Sequence, residues 1–243
     1  MAKVLISDKL SQDAAKVFEK RGIEVDFKPG LSKDNLLDII GQYDGLAVRS
    51  ATKVTAEVLD AAGNLKLVGR AGIGVDNIDL DAASKKGVIV MNTPFGNTTT
   101  TAEHAIAMLM ALARQIPAAN SSTQDGKWEK NKFMGVEITG KTLGVVGCGN
   151  IGTIVVDRAK GLKMRVIVYD PFLSEERANE MGAEKVELDT LFARADFITV
   201  HTPLVEATRN LINKSAIEKM RDGVRIINCA RGGIVDEDDL REA

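Results

Sequence analysis

Gly147, Gly149 and Gly152 close a run of strand character, Thr142-Leu-Gly-Val-Val146, with the spacing G-x-G-x-x-G. At that spacing the first glycine permits a tight turn and the second lets backbone approach a pyrophosphate. The third lets the following helix pack close to the strand. That helix, opening at Asn150 and Ile151, would offer unpaired N–H groups and the positive end of its dipole to phosphates. A second strand, Arg165-Val-Ile-Val-Tyr169, ends at Asp170, 21 residues after Gly149. A carboxylate there accepts hydrogen bonds from ribose hydroxyls and repels a 2′-phosphate. These residues therefore predict a dinucleotide site, for NAD rather than NADP.

Ligands of open parallel sheets bind beyond the carboxyl ends of the strands. Two further segments should lie there, His201-Thr202-Pro203 and Asn228-Cys229-Ala-Arg231-Gly-Gly. Arg231 carries a forked guanidinium suited to a carboxylate, and the two glycines after it let backbone come close to a ligand. His201 is one of only two histidines. Its place beside Thr202 and Pro203 suits a wall of the cofactor pocket better than an acid/base catalyst. His104, on a long helix, reads as a structural or interface residue. Nearer the start of the chain, Arg49 and Ser50 follow another strand as ready donors for a carboxylate or phosphate. The backbone N–H groups from Gly72 to Gly74 could serve the same anion, and Asn97 would lie near a hinge.

Short apolar runs separated by helical stretches must position these groups. Val4–Ile6, Val25–Phe27, Leu46–Val48, Leu67–Gly69 and Val88–Val90 read as strands. Helices over 11–21, 32–40, 55–62 and 79–86 open on Ser, Ser, Thr and Asp as N-caps. Apolar strands alternating with helices imply a parallel sheet covered on both faces. From Asn97 an alanine-rich helix runs to Ile116, is ended by Pro117, and would cross between two domains. A second series follows, with strands at 143–146, 166–168, near 185–187, 197–200 and 224–228. The fold class is α/β, with two doubly wound parallel-sheet domains. Residues 1–96 form a flavodoxin-like substrate domain and 97–243 a Rossmann NAD domain. The latter supplies five strands where the six-stranded order 3-2-1-4-5-6 needs another, so it is expected to be incomplete at its C-terminal end.

Hydrophobic content of 44%, charged content of 27% and a net charge of −2 are those of an ordinary soluble globular protein. They favour neither nucleic acid nor an anionic membrane as partner. Cys148 and Cys229 are the only cysteines; they make neither a disulfide framework nor a metal set and suit a reducing cytoplasm. Trp128, the single tryptophan, stands among lysines on a polar loop and reads as an anchor for a neighbouring subunit.

Taken together, four segments carry a resemblance. They are Val48-Arg49-Ser50-Ala-Thr-Lys-Val-Thr55, Gly69 to Asp79, Asp125-Gly-Lys-Trp128 through Gly135, and Asn228-Cys-Ala-Arg231-Gly-Gly-Ile-Val-Asp236-Glu. Over its whole length the chain resembles the D-isomer-specific 2-hydroxyacid dehydrogenases, and among them the branch acting on 3-phosphoglycerate. The resemblance implies reversible NAD-dependent oxidation of 3-phosphoglycerate to 3-phosphohydroxypyruvate at the head of serine biosynthesis. It implies that Arg231 binds the substrate carboxylate and C2 oxygen, and that Arg49, Ser50 and Asn97 hold substrate. Asn150, Ile151, Asp170, Thr202, Pro203 and Cys229 would line the NAD site. Trp128 and the helix from Asn97 would lie in a subunit contact, in a homodimer or homotetramer.

In the family the proton-transferring histidine and its orienting acid lie downstream of the Asn-Cys-Ala-Arg-Gly-Gly segment, and no histidine follows Arg231 here. The 243-residue chain alone is accordingly expected to turn over little. Two other readings remain open: a dehydrogenase of hydroxypyruvate or glyoxylate, and a non-catalytic module that senses NAD(H).

Overall fold

A computed structural model describes all 243 residues. They form two compact units, Met1–Asn97 and Thr98–Ala243, each with its own sheet.

The first unit alternates strands β1 (Lys3–Ile6), β2 (Glu24–Phe27), β3 (Gly45–Val48), β4 (Leu67–Arg70) and β5 (Ile89–Asn92) with four helices. Helices α1 (Gln12–Glu19), α2 (Lys33–Ile40), α3 (Ala56–Ala61) and α4 (Leu80–Lys85) start where the sequence predicts. Ser11, Ser32, Thr55 and Asp79 each accept an orphan first-turn N–H, as N-caps do. All strand pairs are parallel, in the order β2-β1-β3-β4-β5. Leu5, Ile6, Leu46, Val48 and Val68 are buried at its centre, as parallel strands covered on both faces require. At the β5 edge Ile89 and Met91 are exposed. The last strand lies slightly later than the apolar run Val88–Val90 predicts.

In the second unit, α5 (Thr98–Ala113) and α6 (Ile116–Gln124) precede β6 (Thr142–Val146). The chain continues through α7 (Asn150–Gly161), β7 (Arg165–Tyr169), α8 (Glu175–Met181), β8 (Glu184–Lys185) and α9 (Leu188–Arg194). It ends with β9 (Phe197–Val200), α10 (Lys214–Ile217), β10 (Arg225–Asn228) and α11 (Glu237–Glu242). The sheet order β10-β9-β6-β7-β8 is the Rossmann order of five strands, with β6 at the centre. Gly144 makes room on β6 for α9, since a Cβ there would lie 2.5 Å from Leu191 and 3.1 Å from Ala195. On the other face Ala102, Ala105, Leu109 and Ala113 of α5 share one buried cluster with Val155, Val156 and Ala159 of α7. Small side chains along both helices let their axes approach closely.

Two local expectations are corrected. The alanine-rich helix stops at Ala113 and not Ile116, because Gln115 takes a left-handed conformation (φ 55°, ψ 33°). Pro117 is a start signal, seated in the first turn of α6, where a missing N–H leaves nothing unsatisfied. The short strand placed near 185–187 comprises Glu184 and Lys185 alone.

Candidate functional site

The chain order of the second sheet reverses between β6 and β9, which opens a crevice at their carboxyl ends. The Gly147–Gly152 turn occupies this point. Gly147 has φ +88°, and a Cβ on it would press against Thr202 Cγ2 (2.8 Å) and the His201 carbonyl carbon (2.9 Å). A Cβ on Gly152 would strike the Gly147 carbonyl oxygen, so α7 lies against the turn because that position is bare. Around Gly149 there is open space instead, with no atom within 4 Å of where a Cβ would stand. Gly149 is also the N-cap of α7 and supplies no side-chain cap, leaving the first-turn N–H groups of Asn150 and Ile151 for a ligand. A turn closed on two sides and bare on the third is the shape a pyrophosphate requires.

Asp170 ends β7 beside this turn. Its Oδ2 accepts the Cys148 backbone N–H at 2.8 Å and its Oδ1 accepts that of Phe172, also at 2.8 Å. The carboxylate thus orients the glycine turn while retaining lone pairs that ribose hydroxyls could use. Cys148 itself is buried, and burial pushes its thiol pKa up. It packs as a small apolar residue in the wall of the turn.

His201 leaves β9 with its N–H donated to Val146 O at 2.8 Å, which fixes it at the crevice. Its Nε2 lies 3.0 Å from Thr199 Oγ1, while Nδ1 is buried without a partner, as is the Thr202 hydroxyl. Two orphaned polar atoms on adjacent residues are costly unless a ligand satisfies them. Burial lowers the imidazole pKa from 6.5 to about 4, so the ring is neutral near pH 7. A neutral ring engaged by Thr199 suits a pocket wall and not a proton donor. Pro203 continues this wall, and its carbonyl accepts the Thr208 hydroxyl at 2.6 Å.

One strand outward, β10 leads into Cys229 and Arg231. The Asn228 side chain folds this turn, accepting the Ala230 N–H at 3.0 Å and donating to Arg231 O at 2.8 Å. Arg231 is half-buried and donates from its guanidinium to Ala230 O at 2.8 Å. Cys229 is half-buried, with its thiol pKa raised by burial. His104 is exposed on α5. Trp128 (83% exposed) and Met134 (73%) stand out on the segment after α6.

In the first unit, Arg49 and Ser50 follow β3 and are exposed, and Gly72 follows the neighbouring β4. The Arg70 guanidinium packs directly onto Gly72, where any Cβ would overlap it. Asn97 is exposed at the end of the unit. Sequence reasoning missed the support beneath the Arg49 loop, supplied by buried Asp8 and Asn77. Asp8 stands just beyond β1 at this sheet's own reversal point, between β1 and β3, a place that only the strand pairing reveals.

A hollow of about 780 Å³ opens at the opposite, amino end of the second sheet, lined by Lys160, Lys163, Arg165, Arg194 and Arg221 among others. Three of its cations, Lys160, Arg194 and Arg221, are engaged by a helix end or by acids. Lys160 donates to the Met181 carbonyl as α8 ends, and Arg194 makes a forked pair with Glu184 at 2.6 Å. It has no part in the crevice.

A doubly wound unit with a bare glycine turn, a carboxylate at the end of the second strand and an arginine beyond the fifth is a dinucleotide-binding dehydrogenase domain in shape. The family model for the D-isomer specific 2-hydroxyacid dehydrogenase NAD binding domain matches residues 106–243, and the chain belongs to that family. It is 52% identical over 241 residues to D-3-phosphoglycerate dehydrogenase of Archaeoglobus fulgidus, covering 99% of this chain and 46% of that relative. The human D-3-phosphoglycerate dehydrogenase is 50% identical over 243 residues, again with 46% of its length covered. The chain thus spans about half the length of these relatives. Among solved structures, the TT0316 protein of Thermus thermophilus superposes with a TM-score of 0.91 at 33% identity, over 99% of this chain and 78% of that one. D-lactate dehydrogenase of Aquifex aeolicus, complexed with NAD and lactic acid, gives 0.89 at 28% identity, over 99% and 72%.

Asp170 braces the glycine turn and keeps lone pairs that a ribose could use. Asp170→Ala should raise the Kd for NADH by about 10- to 100-fold, as expected for loss of hydrogen bonds to a charged group. NADPH should not reach wild-type NADH affinity, because the Cys148 amide loses its partner as well. Fluorescence titration with both nucleotides checks this; NADPH binding as tight as wild-type NADH would show that the carboxylate acts by repulsion alone. A second prediction concerns His201. Between pH 6.5 and about 4 the unfolded imidazole holds a proton that the folded one does not. Its stabilisation is therefore complete above pH 6.5 and is lost as pH falls towards 4, by about 3 kcal/mol. His201→Gln should remove that part of the pH dependence in urea unfolding; curves of equal slope for wild type and variant would contradict it.

Proposed function

We propose that this chain forms the substrate-binding and NAD-binding portions of a D-3-phosphoglycerate dehydrogenase, residues 1–96 serving substrate and 97–243 the cofactor. The observation that carries the reading is identity of about half the residues, along the whole chain, to relatives bearing that name. NAD supplies the hydride acceptor for oxidation of the C2 hydroxyl of 3-phosphoglycerate. Gly147, Gly149, Asn150, Ile151 and Gly152 cradle its pyrophosphate, and Asp170 accepts from the adenosine ribose. His201, Thr202, Pro203 and Cys229 form the wall beyond the neighbouring strands. Arg231 grips the substrate carboxylate and polarises the C2 oxygen, stabilising charge that develops there. Arg49, Ser50, Gly72 and Asn97 bind the rest of the anion. His201 is withheld from proton transfer by burial and by Thr199.

The second reading, a dehydrogenase of smaller 2-keto acids, draws on likeness to the Aquifex aeolicus D-lactate dehydrogenase structure. The two are separated by the specificity constants of the natural polypeptide for phosphohydroxypyruvate and hydroxypyruvate. A ratio of about 100 or more in favour of the phosphorylated substrate is expected, with Arg231→Gln lowering kcat/KM for both by about 10²–10³-fold. Equal constants would give the assignment to the second reading.

We further propose that the protein works in the cytoplasm as a homodimer or homotetramer. Trp128, Met134, Met108, Leu112 and Ile116 are large apolar side chains left exposed on one stretch of the second unit. An aromatic anchor among aliphatic neighbours fits the centre of a protein interface. In sedimentation velocity the wild-type protein should run as an oligomer, and Trp128→Ala should shift it towards monomer. A monomeric wild type would refute the assembly.

A further inference from the structure

Asp8 follows β1 at the reversal point of the first sheet, where a doubly wound fold would otherwise offer a ligand crevice. It is 3% exposed, and its bonds go to a single loop. Oδ2 accepts the Arg49 N–H at 2.6 Å, Oδ1 accepts the Thr52 hydroxyl at 2.7 Å, and the Thr52 N–H lies 3.1 and 3.2 Å from the two oxygens. Ser7 adds a hydroxyl contact to Thr52 at 2.9 Å. From the other side, buried Asn77 donates from Nδ2 to the Arg49 and Thr52 carbonyls, each at 2.7 Å. The N–H groups of the loop are thus held by one side chain and its carbonyls by another.

Stability alone does not call for this arrangement. Burying a carboxylate is costly, and hydrogen bonds that offset the cost rarely surpass a well-packed apolar alternative. What the arrangement does supply is fixed geometry. Arg49 and Ser50 sit between the held positions with exposed side chains, and the Arg49 guanidinium reaches only Lys9 O, at 3.3 Å. A rigid backbone thus carries two donors that remain available.

We propose that Asp8, together with Asn77, is a positioning residue: it presets the 49–52 loop so that Arg49 and Ser50 meet the anionic end of the substrate already in register. This rests on the reading of Arg49 and Ser50 as substrate ligands. Misplacing substrate-positioning groups by an ångström costs an enzyme up to about 100-fold.

The test uses the natural polypeptide with NADH and phosphohydroxypyruvate. Asp8→Asn, which turns a donor towards donors, should raise KM about 10- to 100-fold while kcat changes less than about threefold. The Kd for NADH should stay within about twofold, and hydrogen exchange at the Arg49 and Thr52 amides should quicken. Thr52→Val, which removes one donor and leaves the carboxylate in place, should raise KM about threefold, and Thr52→Ser should restore it. Unchanged KM with unchanged exchange would overturn the proposal. So would equal losses in kcat, KM and NADH binding, which mark a general structural role. If the wild-type protein does not reduce phosphohydroxypyruvate, the functional reading fails by itself. Exchange at residues 49 and 52 then decides whether Asp8 holds the loop.

Discussion

Helix α7 can rest on the end of strand β6 only because Gly152 carries no Cβ against the Gly147 carbonyl. The rest of the second unit's crevice is arranged around that contact. With the turn pressed this tightly, Gly147 must take a positive φ beneath Thr202, and its N–H goes to Tyr169 O on β7. On the opposite side His201 N–H goes to Val146 O. Three adjacent strands are therefore tied together at their carboxyl ends. Asp170 completes the tie by taking the Cys148 amide. Donors built on a sheet edge in this way are fixed before the ligand arrives, and binding need not order them.

The two units share a class of topology and use it in opposite ways. Each sheet has a reversal point, β1/β3 in the first and β6/β9 in the second. In the second, Gly149 leaves the point bare and a helix N-terminus faces it. In the first, Asp8 fills the point and turns its acceptors on the loop above. Topology supplies a reversal point in both cases, but one residue decides whether it stays bare or braces the loop above it. Function follows from these side chains and not from the winding of the sheet.

The same contrast explains what could be read from the sequence. Glycine spacing, N-caps and apolar runs are local, and each describes a turn, a helix start or a buried strand within a few residues. Ser11, Ser32, Thr55 and Asp79 all cap as predicted. Pro117 misled because proline breaks a helix from within yet is welcome in a first turn, and only the left-handed Gln115 before it decides between the two. Asp8 was invisible for another reason. Its partners are more than 40 residues away and meet it only once β1 pairs with β3. A carboxylate beside a strand end could equally be a ligand, a cap or a solvated charge until that pairing is known.

His201 shows how burial, more than residue type, assigns a chemical role. A histidine at the carboxyl edge of a dinucleotide-binding sheet could serve as acid, base or wall. With its Nε2 next to Thr199 and the ring desolvated, protonation is displaced to about pH 4. The ring therefore adds no charge to the crevice across the range in which an ordinary imidazole would switch. In the proposed enzyme this separates two tasks. Arg231 would bring permanent positive charge to a substrate anion, while the wall at His201 stays neutral near pH 7.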